Sequence, residues 1–275
     1  MHTNMHINQL WAASLVTALC VGRPSLAATI PFTWNPAGSA PPLIGGAFTA
    51  DTMSYDSYVH SVVQPSGNYV SERVAVINGF RLNGLAIVPP GFDSSYGLYF
   101  DFTDTGVSAP PNPLTFASST FSLKADPGHL NGAPSSTFGG FGFANTGATG
   151  AADDITLATG SMIIGTSSFD PVSGARSTRF VDTFVPAPGE QGFFVAPAFG
   201  TSVNIEFDTT APAGALVSTP GPGGTMIQTI NTGFGTAQLV PEPASAGLLG
   251  TGLLGVLSLR RRRRSIHHPL QSRRE

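Results

Sequence analysis

"TSVNIEFDTT" (Thr201–Thr210) alternates Val203, Ile205 and Phe207 with Asn204, Glu206 and Asp208. Side chains alternate across a strand, so a period of two sets an apolar face against a polar one, as in a half-buried antiparallel strand. The same pattern recurs upstream. In "SYGLYFDFTD" (Ser95–Asp104), Tyr96, Leu98, Phe100 and Phe102 share one face, and Gly97, Tyr99, Asp101 and Thr103 the other. "TFSLKAD" (Thr120–Asp126) sets Phe121, Leu123 and Ala125 against Ser122, Lys124 and Asp126. "TRFVDTFV" (Thr178–Val185) offers Phe180 and Phe184 but is apolar on both faces.

Turn signals separate these runs. Asn78-Gly79 stands between "RVAVI" and "FRL", and Asn83-Gly84 follows four residues later. Asn and Gly both tolerate positive φ, so each pair is a hairpin signal. Two tight hairpins cannot sit so close together, so one pair is a bulge or part of a wider turn. "PPGFDSS", "DPGHLNGAP", "DPVSGA" and "PAPGEQG" are further breaks. No long period of 3.6 runs through the body, and 33 glycines and 23 prolines in 275 residues argue against long helices. The expected fold is all-β: an antiparallel β-sandwich or jelly roll. Residues 28–55, rich in Pro, Gly, Ala and Thr, read as an irregular lead-in to a domain over 56–239, and the glycine-rich Asn131–Gly150 as a possible insertion.

Charge is segregated along the chain. Five basic residues stand against 14 acidic ones between Ala28 and Val240, about −9, whereas seven of the 13 basic residues follow Leu259. An acidic body does not neutralise phosphates, so no nucleic-acid partner is expected. Leu10–Val21 ("LWAASLVTALCV") is apolar and too short for a comfortable span, and "PSLAA" places small residues behind it. This reads as a secretory signal helix over 1–27, cleaved after Ala27 or, alternatively, after Ala28. The sole cysteine, Cys20, lies within it behind Leu19, which does not suit lipidation. The body then holds no disulfide, thiolate nucleophile or cysteine-based metal site.

Chemical motifs are sparse. The body has two histidines, His60 and His129, too few for a three-histidine zinc site. It has no HExxH, GxSxG, phosphate-binding or dinucleotide fingerprint. No catalytic residues and no cofactor are assigned, and the expectation is a protein that is not an enzyme. A Ser-His-Asp arrangement is not fixed by spacing, so a secreted hydrolase using His60, His129 or a carboxylate pair stays as the alternative. Asp101 and Asp104, with Asp153 and Asp154, are calcium candidates, since calcium favours clustered carboxylates in tight loops. The other reading is exposed turn carboxylates. Tyr55, Tyr58, Tyr69, Tyr96 and Tyr99 could stack on sugars if exposed, whereas the Phe-rich strands read as core.

The C-terminal part is the most specific. "VPEPASAGLLGTGLLGVLSLRRRRR" (Val240–Arg264) joins Pro-Glu-Pro to 16 uncharged residues, Ala244–Leu259, and then to five arginines. As a helix the apolar run spans about 24 Å, a little short of a ~30 Å hydrocarbon core. The arginines hold their end in the cytoplasm and leave the body outside. The order resembles the PEP-CTERM sorting domain, carried by Val240, Pro241, Glu242 and Pro243, the short transmembrane helix 244–259, and Arg260, Arg261, Arg262, Arg263 and Arg264 as topology anchor. The trailing residues 265–275 depart from the usual pattern and read as a cytoplasmic tail.

That resemblance implies transient anchoring in the inner membrane of a Gram-negative bacterium. Processing by an exosortase then delivers the protein to the cell surface or extracellular matrix. "SYGLYFDFTDTG", "ADDITLATGSM" and "EQGFFVAPAFGTSVNIEFD" are similar, in order, to blocks of flocculation-associated PEP-CTERM (PepA-like) proteins. The implied role is floc formation and cell aggregation with exopolysaccharide. A carbohydrate-binding module acting on matrix polysaccharide is the further alternative.

Overall fold

The computed structural model describes residues 29–108, 114–127, 154–197 and 203–241. The expected signal helix, the transmembrane segment 244–259, the arginine cluster, the tail, His129, Asp153 and the glycine-rich stretch lie outside the described residues. Every regular element among the described residues is a strand, apart from three short 3-10 turns.

Eight long strands follow one another as a meander: β3 (Thr52–Val63), β4 (Asn68–Leu82), β6 (Tyr96–Val107), β7 (Thr115–Pro127), β8 (Ile155–Phe169), β9 (Arg176–Pro186), β11 (Val203–Ala211) and β13 (Met226–Pro241). Each pairs antiparallel with the next. β13 pairs with β11 on one side and with β3 on the other, so the sheet closes on itself. Two hairpin arms add to the wall: β5 (Leu85–Ile87) folds back on β4, and β12 (Leu216–Pro220) on β13. The structure thus corrects the expected sandwich or jelly roll to an eight-stranded up-and-down barrel.

The physical reason lies in long-range pairing. A sandwich and a barrel produce the same alternation along each strand. They differ in whether the first and last long strands meet, here Thr236 opposite Ser54 across the closing seam. Register shifts interrupt the β3–β4, β6–β7, β7–β8, β8–β9 and β3–β13 ladders. Such bulges bend and coil strands, which closure requires. One is the Asn78-Gly79 pair: Ser54 faces Gly79 and Tyr55 faces Ile77, leaving Asn78 unpaired. Asn83 and Gly84, with φ of 52° and 79°, form the two-residue hairpin between β4 and β5. The two turn signals therefore divide into one bulge and one hairpin.

The predicted apolar faces are buried, though Asn204, Asp126 and Tyr99 of the opposite faces are buried as well. Tyr96, Leu98, Phe100, Phe102, Phe121, Leu123, Phe180, Phe184, Val203, Ile205 and Phe207 are all buried. Small residues make room for the rings, as the narrow bore of an eight-stranded barrel demands. A Cβ on Gly160 would lie 2.2 Å from the Phe121 ring, so only glycine fits beneath that side chain. Outside, Thr105 and Ser118 share a 2.7 Å hydrogen bond, and Ser161 faces Thr183. The exposed surface mixes such hydroxyl pairs with apolar residues, among them Val70, Val185 and Phe234.

Short strands form within residues 29–55. β1 (Phe32–Trp34) pairs with β2 (Phe48–Ala50) and with β10 (Phe194–Ala196) as a small three-stranded sheet, and β3 already begins at Thr52. This sheet caps one end of the barrel. Trp34 lies within 4.6–6.2 Å, centroid to centroid, of Phe32, Phe48, Phe80, Phe193 and Phe194. Phe80, Phe184 and Tyr96 continue that cluster into the barrel. The Glu190 carboxylate, after β9, accepts from the Ala40 amide and ties the lead-in down.

Candidate functional site

The barrel's other end carries the β3–β4, β6–β7, β8–β9, β11–β12 and β12–β13 connections, and there the filling changes from rings to polar groups. A cavity of about 300 Å³ opens among Ser57, Tyr69, Arg73, Asp104, Phe116 and Phe180, with Arg176 and Phe169 also in its wall. Strand alternation explains the set. Tyr69, Ser71, Arg73, Ala75 and Ile77 are successive buried positions of β4, and the first three line the cavity.

Arg73 is the centre of this end. Its guanidinium carbon lies 3.8 Å from the Phe102 ring centroid and 4.5 Å from that of Phe180. Such desolvated cation–π contacts contribute about 2 kcal/mol. Nε stands 3.6 Å from Asp104 Oδ2, too far for a hydrogen bond. None of the three guanidinium nitrogens has a hydrogen-bond partner, and neither do Asp104 Oδ1, Ser57 Oγ, Tyr69 Oη or either oxygen of Asp182. Asp182, fully buried between Phe180 and Phe184 on β9, has its pKa pushed up to about 7. Desolvation is the main cause; Arg73 opposes it and Asp104 adds to it. Burial likewise raises Tyr69, with Asp104 nearby, so its phenol stays a donor. Tyr55 is pushed up to about 12 by burial and shares a 2.7 Å hydrogen bond with Thr209.

The calcium candidates separate. Asp104 points into the barrel beside Arg73, whereas Asp101 faces outward and pairs with Lys124 at 2.9 Å. Asp154 accepts from the Tyr99 hydroxyl in the same outer region as Asp101. Asp101 and Asp104 therefore cannot share one ion from their present faces. His60 lies on β3 between Val59 and Ser61, which line the cavity, and is itself buried but not part of that lining. Trp34, Tyr55, Tyr69 and Tyr96 are buried in the core rather than displayed for sugar stacking. Arg73 and Asp182 escaped the sequence reading. Their signal was a charge in phase with apolar neighbours: Arg73 two residues from Ala75, and Asp182 between Phe180 and Phe184.

The remaining predicted site begins where the barrel ends. Val240 is buried and faces Asn204 of β11, and Pro241 faces Val203. Residues 239–263 match the family model of the PEP-CTERM protein-sorting motif. The chain carries a PEP-CTERM motif. It is accordingly an exported protein with a C-terminal membrane-anchoring sorting signal, processed by an exosortase. No curated protein matches the chain. The PEP-CTERM match begins inside β13, at Leu239, which is itself buried opposite Ile205. The matched range thus overlaps the last three residues of β13. A cut beyond Pro241 leaves the β11–β13 ladder complete.

Proposed function

We propose that this is a non-enzymatic component of the extracellular matrix that supports floc formation by holding cells and exopolysaccharide together. The observation that carries the reading is the sorting motif on a chain whose barrel presents hydroxyl pairs on its outer face, among them Thr105–Ser118 and Ser161–Thr183. Hydroxyl ladders match the alternating donors and acceptors of a polysaccharide. A cut beyond Pro241 would release a closed barrel with every long strand paired, fit to persist in the matrix.

The test is deletion of the gene in the producing bacterium, with polysaccharide secretion and floc size measured together. Dispersed flocs at unchanged polysaccharide output are the expected result. Unchanged flocculation overturns the role and leaves only the sorting.

A further inference from the structure

The cavity end of the barrel has a chemistry that the matrix role does not use. Arg73 is 3% exposed and carries five N–H donors, none of which meets an acceptor. Ser57 and Tyr69, in the same wall, hold further unpartnered hydroxyls. Leaving a buried charged donor without an acceptor costs several kcal/mol, more than a neutral group would. The Phe102 and Phe180 rings lie 3.8 and 4.5 Å from it and Asp104 stands 3.6 Å from Nε, but none of them supplies a hydrogen bond.

The charge balance gives the sign of what fits. The charged groups lining the cavity are Arg73, Arg176 and Asp104, so the wall carries one net positive charge. That stands in contrast to a body of about −9. A cationic ligand would meet two guanidiniums, and a dianion would exceed the balance. A monoanion neutralises the wall. The rest of the lining gives the ligand's other half: Val59, Leu114, Phe116, Phe180, Leu216 and Ile230 offer an apolar surface. The volume, about 300 Å³, lies at the small end of the range for ligand sites.

We propose that the cavity binds a small monocarboxylate, its carboxylate on Arg73, Ser57 and Tyr69 and its apolar body along Phe116, Phe180, Leu216 and Ile230. Planar guanidinium and planar carboxylate match as a fork, which a point-like ammonium does not. The apolar body is either a short alkyl chain or an aromatic ring, and both share the same headgroup chemistry.

Calorimetric titration of the processed protein collected from producing cells tests this, with octanoate, phenylacetate, octan-1-ol and octylammonium as probes at pH 6. At least one carboxylate should bind one to one and at least tenfold tighter than the alcohol or the ammonium. Octanoate ahead of phenylacetate assigns an alkyl body, and the reverse an aromatic one. Arg73→Met should weaken carboxylate binding at least tenfold and leave the alcohol unchanged. Ser61→Trp, filling the cavity from β3, should abolish both. If Arg73→Met fails to fold, the headgroup series on the unaltered protein decides alone. Equal binding of alcohol and carboxylate, or no carboxylate binding at millimolar concentration, overturns the proposal.

Discussion

The two ends of this barrel are built from the same strands to opposite effect. At the capped end, Phe32, Trp34, Phe48, Phe80 and Phe194 pack mostly edge to face. At the other, Arg73, Asp104, Ser57 and Tyr69 leave polar atoms unsatisfied around a cavity. Asp182 lies at the boundary, one inward position from Phe184 of the cap cluster and one from Phe180 of the cavity wall. Aromatic packing is non-directional enough to stabilise by burial alone, whereas a buried polar group stabilises only when its partners are in place. The contrast assigns stability to the cap and binding to the cavity. Unpartnered polar atoms occur in the cap as well, at Trp34 Nε1 and Tyr96 Oη, but the buried guanidinium without a hydrogen-bond partner lies at the cavity end.

The largest expected effect lies in the cap. Trp34→Ala should lower stability by about 3–5 kcal/mol, read from denaturant midpoints, because a fully buried ring with five aromatic neighbours is lost. Octanoate affinity of the folded fraction should not change. A cost below about 1 kcal/mol would break the contrast from the stability side.

Asp182→Asn should do the reverse and stabilise, with a pH dependence of defined sign. The native carboxyl holds its proton to about pH 7, whereas the unfolded one releases it near 3.8. The folded state is therefore penalised increasingly between about pH 4 and 7, and constantly above. Asparagine carries no such penalty. The variant should gain up to about 4 kcal/mol at pH 8 and little at pH 4, at 1.36 kcal/mol per pH unit. Arg73 and Asp104, the charges felt by Asp182, stay in place in the variant. Equal effects at both pH values would contradict a buried, protonated Asp182.

Smaller effects sharpen the picture. Gly84→Ala should cost about 1 kcal/mol, since φ of 79° strains any side chain although a Cβ there meets nothing within 4 Å. Thr105→Val together with Ser118→Val, on the outside of the cavity end, should change stability by less than about 0.5 kcal/mol. A large loss there would mean that the outer hydroxyls, not the interior, hold that end together.

Much of the wall was legible in the sequence. Period two identified the inward rings of β6, β7, β9 and β11 because local alternation is all that a half-buried strand requires. Closure was not legible. It depends on β13 reaching both β3 and β11, a pairing between residues about 180 positions apart, such as Thr236 and Ser54, that no local pattern encodes. The cap escaped for a related reason: β1, β2 and β10 are three residues each, too short to show any period. Of the sites, the sorting motif was readable because its chemistry is contiguous. Arg73, Asp104 and Asp182 come from three strands and meet only in the closed barrel.

Native-state amide hydrogen exchange of the processed protein, with and without octanoate or phenylacetate, measures both ends at once. Amides of β1, β2 and β10 should exchange only with global unfolding and be indifferent to ligand. Amides near the cavity rim, Ser167–Phe169 and Arg176–Thr178, should exchange by local opening and slow when at least one of the two carboxylates is added. Equal protection at both ends, with no response at the rim to either octanoate or phenylacetate, would contradict the division of the barrel into a stabilising cap and a binding cavity.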